Sequence, residues 1–124
     1  MKGRLRREKA PVVALVREDG AVVCSRCIVA ATPLLRMKGL LGRSELPPDE
    51  GILLRPASSI HTLFMRFPID VVFLDRDLVV QKVTPALRPW RLAFHRRARS
   101  VLELAAGESE QRGVAVGQRL IAQD

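Results

Sequence analysis

Short apolar runs separated by glycine and proline constrain the fold of this chain more than any other feature. The runs are rich in Val, Ile and Leu, and each has the length of a β-strand rather than that of an ordinary helix. Those predicted to be strands are 12–16, 21–30, 52–54, 60–66, 71–74, 78–83, 90–94 and 101–104, and an apolar segment over 114–121 completes the pattern. The pattern predicts a mainly β fold, a compact β-sandwich or barrel-like domain of about eight short strands.

The clearest hairpin signal lies near the start of this pattern. Asp19 and Gly20 separate the first two runs, and such a pair is typical of two-residue β-turns. The turn needs a positive φ at both positions, which glycine adopts without strain. We therefore predict a hairpin that joins 12–16 to 21–30 through these two residues.

One segment has the period of a helix instead. Thr32 is suited to cap a helix and Pro33 to occupy its first turn, and apolar residues then recur on one face. Gly42 fits the left-handed position that often follows a helix end. These signals predict one short helix over about 33–41. Gly39 would lie inside it, and its cost of about 1 kcal/mol against alanine indicates a closely packed neighbour there.

Length and composition predict a single domain. The chain has 124 residues, of which 48% are hydrophobic and 27% charged, as in ordinary globular proteins. We predict one β-rich domain over 10–124, preceded by a flexible basic arm over 1–9. No apolar run approaches the roughly 20 residues that a bilayer span needs, and no signal-peptide pattern follows the basic N-terminus. We therefore expect a cytoplasmic protein with no membrane association.

The net charge of +8 comes mainly from arginine. One cluster inside the expected domain comprises Arg88, Arg91, Arg96, Arg97 and Arg99. Arginine pairs well with phosphate, so this cluster supports an alternative hypothesis, a basic module that binds nucleic acid. Aromatic residues make up only 4% of the chain and tyrosine is absent, which leaves few of the stacking surfaces that single-strand binders use. Nucleic-acid binding is therefore the second hypothesis rather than the first.

Two cysteines, Cys24 and Cys27, have the spacing of a metal-ligand pair. The pair stands alone, whereas a structural zinc site usually has four ligands, and only His61 and His95 could complete one. Residues three apart in a regular strand point to opposite faces, so the thiols converge only at a strand end or a bulge. We expect two reduced, semi-buried thiols, with no metal and no cofactor; a cysteine-based zinc site is the less favoured alternative.

Three ionisable residues, His61, Asp70 and Glu103, stand inside or beside apolar runs, where an unpartnered charge is costly to bury. Arg43 and Arg66 are their candidate ion-pair partners. One hypothesis is a set of internal salt bridges that pins the loop after the helix to the sheet. The other is a polar pocket that binds a small ligand or a partner's side chain. A histidine–carboxylate hydrolase is less favoured, because no nucleophile or standard catalytic motif is evident, and no catalytic residue is predicted.

Four blocks of the sequence occur in an order and spacing that match a known family. They are 36–43, 51–54, 60–75 and 101–107. From about residue 30 to residue 121, the chain resembles the family called domain of unknown function 192. The resemblance implies a compact, mainly β sandwich or barrel-like fold with one helix, and it supplies no function.

Many members of that family look exported and carry a Trp-Met-Lys-Asn-Thr-like string before the aspartate, with a Gly-Asp pair near the C-terminal end. Here the segment 61–68 has a different sequence and the pair reads Gly117-Gln118, so neither an exported role nor an acid at 118 is carried over. The positions that match family motifs are taken as a candidate binding pocket: Gly42, Arg43, His61, Met65, Asp70 and Glu103. The leading hypothesis is a non-enzymatic module that binds a small molecule or a protein partner, with the charged members of this set near one end of the domain.

Overall fold

Strands dominate the architecture. A computed structural model describes residues 10–124, and this range holds nine strands and two short helices. The strands are β1 (Val12–Arg17), β2 (Val22–Ala30), β3 (Glu50–Leu54), β4 (Ser59–His61), β5 (Ile69–Leu74), β6 (Val80–Leu87), β7 (Leu92–Phe94), β8 (Ser100–Ala105) and β9 (Leu120–Gln123), and the helices are α1 (Pro33–Lys38) and α2 (Glu108–Gln111). The predicted mainly β fold is confirmed. The predicted arm over 1–9 lies outside the described residues.

Seven strands form one sheet in the order β6-β5-β8-β3-β2-β1-β9, and β4 and β7 form a separate two-stranded sheet. The β2 and β3 strands run parallel, and the other neighbours are antiparallel. The large sheet is curled, so that its two edges meet at one end. There the Val80 amide donates to the Gln118 carbonyl (2.7 Å), and the Leu120 amide donates to the Leu78 carbonyl (2.8 Å). The result is a curled half-barrel with a small additional sheet.

Apolar side chains cover both faces of the large sheet. In β8, Leu102 and Leu104 belong to one buried cluster, whereas Val101 belongs to the other. All residues of β5 are buried, as expected for a strand packed on both faces. Glu103 shares the face of Val101, since side chains alternate along a strand. We call this the Val101 face, and it carries the candidate site.

A bulge in β2 brings the two cysteines to one face. Val13 pairs with Cys27 and Leu15 pairs with Cys24, so β2 has one residue more than β1 between these pairs. Both thiols are free and fully buried, more deeply than the semi-buried pair expected from the sequence. A hydrogen bond with Cys24 raises the pKa of Cys27, and burial raises it further.

Helix α1 is shorter than predicted. Thr32 caps it as expected, because its Oγ1 accepts a hydrogen bond from the Leu35 amide (3.1 Å). The helix ends at Lys38, and Gly39 is its C-terminal cap with a φ of 44°. The predicted helix begins at the expected residue but ends three residues earlier than predicted, so Gly39 lies at its end and not inside it. A Cβ at this glycine would meet only the Arg36 carbonyl, at 3.6 Å, so the position needs glycine for its backbone conformation and not for close packing.

The predicted strand over 60–66 ends early. Only Ser59–His61 is a strand, and the chain turns at Thr62. The Thr62 hydroxyl donates to the Arg88 carbonyl (2.6 Å) and accepts from the Arg91 amide (2.8 Å). The segment 62–66 is therefore not part of a strand. Similarly, the runs predicted over 90–94 and 114–121 contribute strands only at 92–94 and 120–123.

The first hairpin lies where it was predicted but has a different turn. The Arg17 amide donates to the Ala21 carbonyl (2.8 Å), which leaves three residues in the loop. Gly20 has a φ of 90°, whereas Asp19 is not among the residues with positive φ. The prediction of a two-residue turn with two positive φ values was wrong. The loop is of the three-residue kind that ends on a left-handed glycine.

Candidate functional site

A pocket of about 310 Å³ opens on the Val101 face of the large sheet. Its lining comes from α1 and the turn after it, from the segment that joins β3 to β4, from the turn after β4, and from β8. The lining residues are 36–41, 54, 56–61, 65 and 103. Elements from distant parts of the chain therefore meet around one side chain, Glu103.

Glu103 is the acidic residue of the pocket, and it is only 4% exposed. Its cross-strand neighbours are Ile52 and Val71, so apolar groups flank it on both sides. No residue in the described range donates a hydrogen bond or forms an ion pair with its carboxylate. Burial alone raises the pKa of Glu103 from 4.5 to about 7, because the low-dielectric surroundings disfavour the charged form. Near neutral pH, this carboxyl can therefore either donate or accept a proton.

His61 and Met65 line the same pocket as Glu103, so the structure brings together three of the six candidate residues. His61 is exposed, and its Nδ1 accepts a hydrogen bond from the Leu63 amide (3.3 Å), which leaves Nε2 for another partner. Met65 is buried and adds an apolar wall. The candidate site is thus an apolar pocket with one carboxyl group and one imidazole.

Gly42 and Arg43 lie outside this pocket. Arg43 Nη2 is 3.1 Å from Glu50 Oε1, so it ties the loop after α1 to β3. It also lines a second cavity of about 300 Å³, which shares Lys38, Gly39 and Leu41 with the first. Gly42 has a φ of 85° and open space around it. Arg43 thus makes an internal salt bridge of the predicted kind, but with a partner outside the predicted set.

Asp70 is fully buried and well supplied with hydrogen-bond donors. Its Oδ1 accepts from the Ala86 amide (2.8 Å). Its Oδ2 accepts from the Gly107 amide (3.1 Å) and from the amide (2.9 Å) and hydroxyl (2.6 Å) of Ser109. Ala86 has a φ of 48° at a bulge in β6, and Gly107 caps α2. Asp70 therefore anchors this bulge and the start of α2, and neither predicted arginine is its partner.

Of the four charged residues predicted to group at one end, the structure brings together His61 and Glu103, whereas Arg43 and Asp70 make contacts elsewhere. Asp70 pairs with Leu104, whereas Glu103 pairs with Val71. Directly opposed residues share a face and consecutive residues alternate, so Asp70 and Glu103 point to opposite faces of the sheet. Of these two carboxylates, only Glu103 lines the pocket.

Residues of α1 and its following turn are the part of the pocket that sequence reasoning missed. Arg36 and Lys38 bring positive charge to the lining, and Leu40 brings an apolar surface. All three lie in the first of the four sequence blocks, 36–43. Membership of this block was the sequence signal that could have identified them as pocket residues. Their meeting with Glu103 is set by tertiary packing.

The range from 10 to 124 contains no group of three or more His, Cys, Asp and Glu side chains arranged to hold a metal ion. It also contains no helix with the length and apolar character needed to cross a membrane. The expectation that Cys24 and Cys27 bind no zinc stays a prediction.

Comparison with protein families decides where the chain belongs. The model of the family described as uncharacterized ACR, domain of unknown function 192, matches residues 14–122. The chain belongs to this family. The resemblance seen in the four sequence blocks is confirmed, and the family brings no assigned activity with it.

Two curated relatives match about half of the sequence. A UPF0127 protein of Pyrococcus furiosus is 42% identical over 64 residues, which cover 51% of this chain and 54% of that relative. A UPF0127 protein of Pyrococcus abyssi is 39% identical over 64 residues, with the same coverage. The chain thus spans about half the length of these curated relatives in the match.

Two solved structures have the same fold. One, from Sinorhizobium meliloti and named as a candidate transcription regulator, has a TM-score of 0.80 and 24% identity, and the match covers 92% of this chain and 95% of that chain. The other, a protein of unknown function from Novosphingobium aromaticivorans, has a TM-score of 0.74 and 23% identity, with 90% and 84% covered. At these identities the likeness concerns the fold alone.

Proposed function

We propose that this domain is a non-enzymatic binding module whose pocket holds a small molecule, or a side chain of a protein partner, against Glu103. The observation that carries the proposal is a carboxyl group buried in a pocket with no hydrogen-bond donor from the described residues. Glu103 lines the pocket, so its carboxyl group can be contacted by a molecule that enters there. Burial disfavours the charged form of this group, and a ligand that donates a hydrogen bond to it would offset this cost.

The lining favours a ligand with an apolar body and a hydrogen-bond donor. Leu40, Leu54 and Ile60 are buried aliphatic side chains of the pocket, and the Glu103 carboxyl can accept a hydrogen bond from an amine, an amide or a hydroxyl group. The volume of about 310 Å³ lies at the lower end of the roughly 300–1,000 Å³ of small-molecule sites. A compact amphipathic molecule fits these properties.

Nuclear magnetic resonance tests the proposal. A set of small amines, amides and alcohols with apolar bodies is screened at neutral pH, and the methyl groups of Leu40, Leu54 and Ile60 report where a binder sits. We expect at least one member to shift these methyl signals. Glu103→Gln should weaken its binding about tenfold or more, because a hydrogen bond to a charged group contributes about 1.5–3 kcal/mol.

Glu110→Gln is the matched control, since Glu110 is an exposed acid on α2 that does not line the pocket. It should leave binding unchanged. A screen without any binder, binding that does not depend on Glu103, or shifts confined to other parts of the domain would contradict the proposal. We assign this activity to the cytoplasm, as expected from the sequence, where glutathione keeps thiols such as Cys24 and Cys27 reduced.

A further inference from the structure

A patch of exposed aromatic and apolar side chains lies on the small sheet and its flanking loops. Phe64 is 69% exposed, Trp90 56%, Leu92 76% and Phe94 67%, and we call these four residues the aromatic patch. The rings of Phe64 and Trp90 contact each other, with centroids 4.7 Å apart and planes at 59°. The chain has only five aromatic residues, four Phe and one Trp, so three of the five lie on the surface instead of in the core.

The contacting pair of rings is held in place by the backbone beneath it. Thr62 is fully buried, its carbonyl accepts from the Trp90 amide (2.9 Å), and its hydroxyl accepts from the Arg91 amide (2.8 Å). Phe64 and Trp90 have φ values of 67° and 66°. Bulky residues adopt such values only where the surroundings impose them, often at functional sites. The backbone that carries the two rings is therefore held in place before a partner arrives, which lowers the entropic cost of binding.

The chain segment that carries Trp90, Leu92 and Phe94 has charges of one sign. Between Asp77 and Glu103 the sequence contains no acidic residue, and its cations are Lys82, Arg88, Arg91, Arg96, Arg97 and Arg99. All six are exposed, and none forms an ion pair with a carboxylate in the part of the chain that the structure describes. The electrostatic complement of such a surface is a polyanion.

We propose that this surface binds a single-stranded nucleic acid. Bases would stack on the exposed faces of Phe64 and Trp90, and Arg88 and Arg91 would pair with phosphates. An unpaired strand offers both the flat base faces and the regular negative charge that these residues complement, whereas a duplex hides its base faces. The structure thereby supplies the stacking surface that composition alone left in doubt. This inference is independent of the pocket around Glu103.

Fluorescence tests this proposal directly, because Trp90 is the only tryptophan. The full chain is titrated with oligo(dT) and oligo(U) of about 12 nucleotides, within the usual range of site sizes. We expect quenching of the Trp90 emission. With labelled oligonucleotides, Trp90→Ala should weaken binding about tenfold, as removal of one stacking ring typically does. Replacing Arg88 and Arg91 together by glutamine should reduce the slope of log Kd against log salt by about 1.4, since each neutralised phosphate of a single strand contributes about 0.7.

Matched variants separate the proposed contacts from general effects. Trp90→Phe should keep most of the binding, while Val116→Ala and Arg26→Gln, which change exposed residues elsewhere, should change nothing. Glu103→Gln should leave oligonucleotide binding intact. Melting curves confirm that each variant is folded. The proposal is overturned if oligonucleotides do not quench Trp90, or if a duplex binds as well and Trp90→Ala has no effect. It is also overturned if phosphatidylserine vesicles or polyglutamate quench Trp90 and oligonucleotides do not.

Discussion

Asp70 and Glu103 are both carboxylates buried in the large sheet, and their surroundings differ in kind. Asp70 accepts hydrogen bonds from Ala86, Gly107 and Ser109. In the described range nothing donates to Glu103, which faces a pocket. The protein replaces the hydrogen bonds to water that Asp70 loses on folding, and it does not do so for Glu103. At the scale of single residues, we therefore expect Asp70 to support the fold and Glu103 to be tolerant of substitution.

Asp70→Asn should destabilise the domain. An asparagine has the same shape, but its amide nitrogen cannot accept the hydrogen bonds that the carboxylate accepts from backbone amides. Hydrogen bonds to charged groups contribute about 1.5–3 kcal/mol each, so we expect the free energy of unfolding in urea to fall by at least about 2 kcal/mol. Asp49→Asn, at an exposed position, is the control. An unchanged urea midpoint for Asp70→Asn would contradict the anchoring role.

Glu103→Gln should change stability in a pH-dependent manner. The pKa of this carboxyl is 4.5 when unfolded and about 7 when folded, so the folded state holds the proton more tightly. Its contribution to stability is therefore fully present below pH 4.5 and is lost as pH rises through about 7. Linkage gives about 3 kcal/mol for the whole change. Glutamine does not ionise, so the variant should match the parent near pH 4.5 and exceed its stability at pH 8. Urea unfolding at both pH values measures this, and a variant less stable than the parent at pH 8 would refute the assignment.

At the scale of elements, the hairpin of β1 and β2 depends on Gly20. A side chain at this position would meet no atom within 4 Å, but the φ of 90° is one that L residues rarely adopt. The cost of Gly20→Val is therefore conformational, about 1–2 kcal/mol, and we expect a loss of at least about 1 kcal/mol in the free energy of unfolding. Gly20→Asn should lose less, because asparagine tolerates left-handed backbone better. If the valine variant and the parent had equal denaturation midpoints, the turn would not depend on glycine at position 20.

At the scale of the whole molecule, two apolar clusters pack on the two faces of the curled sheet. Cys24 and Cys27 belong to one of these clusters and pack there as small apolar side chains. We therefore predict that the purified protein contains no stoichiometric zinc and melts at the same temperature with and without a chelator. One zinc per chain by elemental analysis, together with a lower melting temperature in chelator, would contradict this, because structural zinc contributes directly to folding.

The sequence by itself determined the features that depend on near neighbours along the chain. Strand-length apolar runs, the Thr32 cap, and the alternation that separates Glu103 from Leu102 and Leu104 all follow from local backbone geometry. The tertiary structure alone decided which strands became neighbours. It placed Asp70 and Glu103 on opposite faces by pairing β5 with β8, and it ended the predicted strand over 60–66 through hydrogen bonds between Thr62 and Arg91, 29 positions apart. No local pattern identifies a hydrogen-bond partner at that separation, so the pocket and the aromatic patch became visible only in the folded chain.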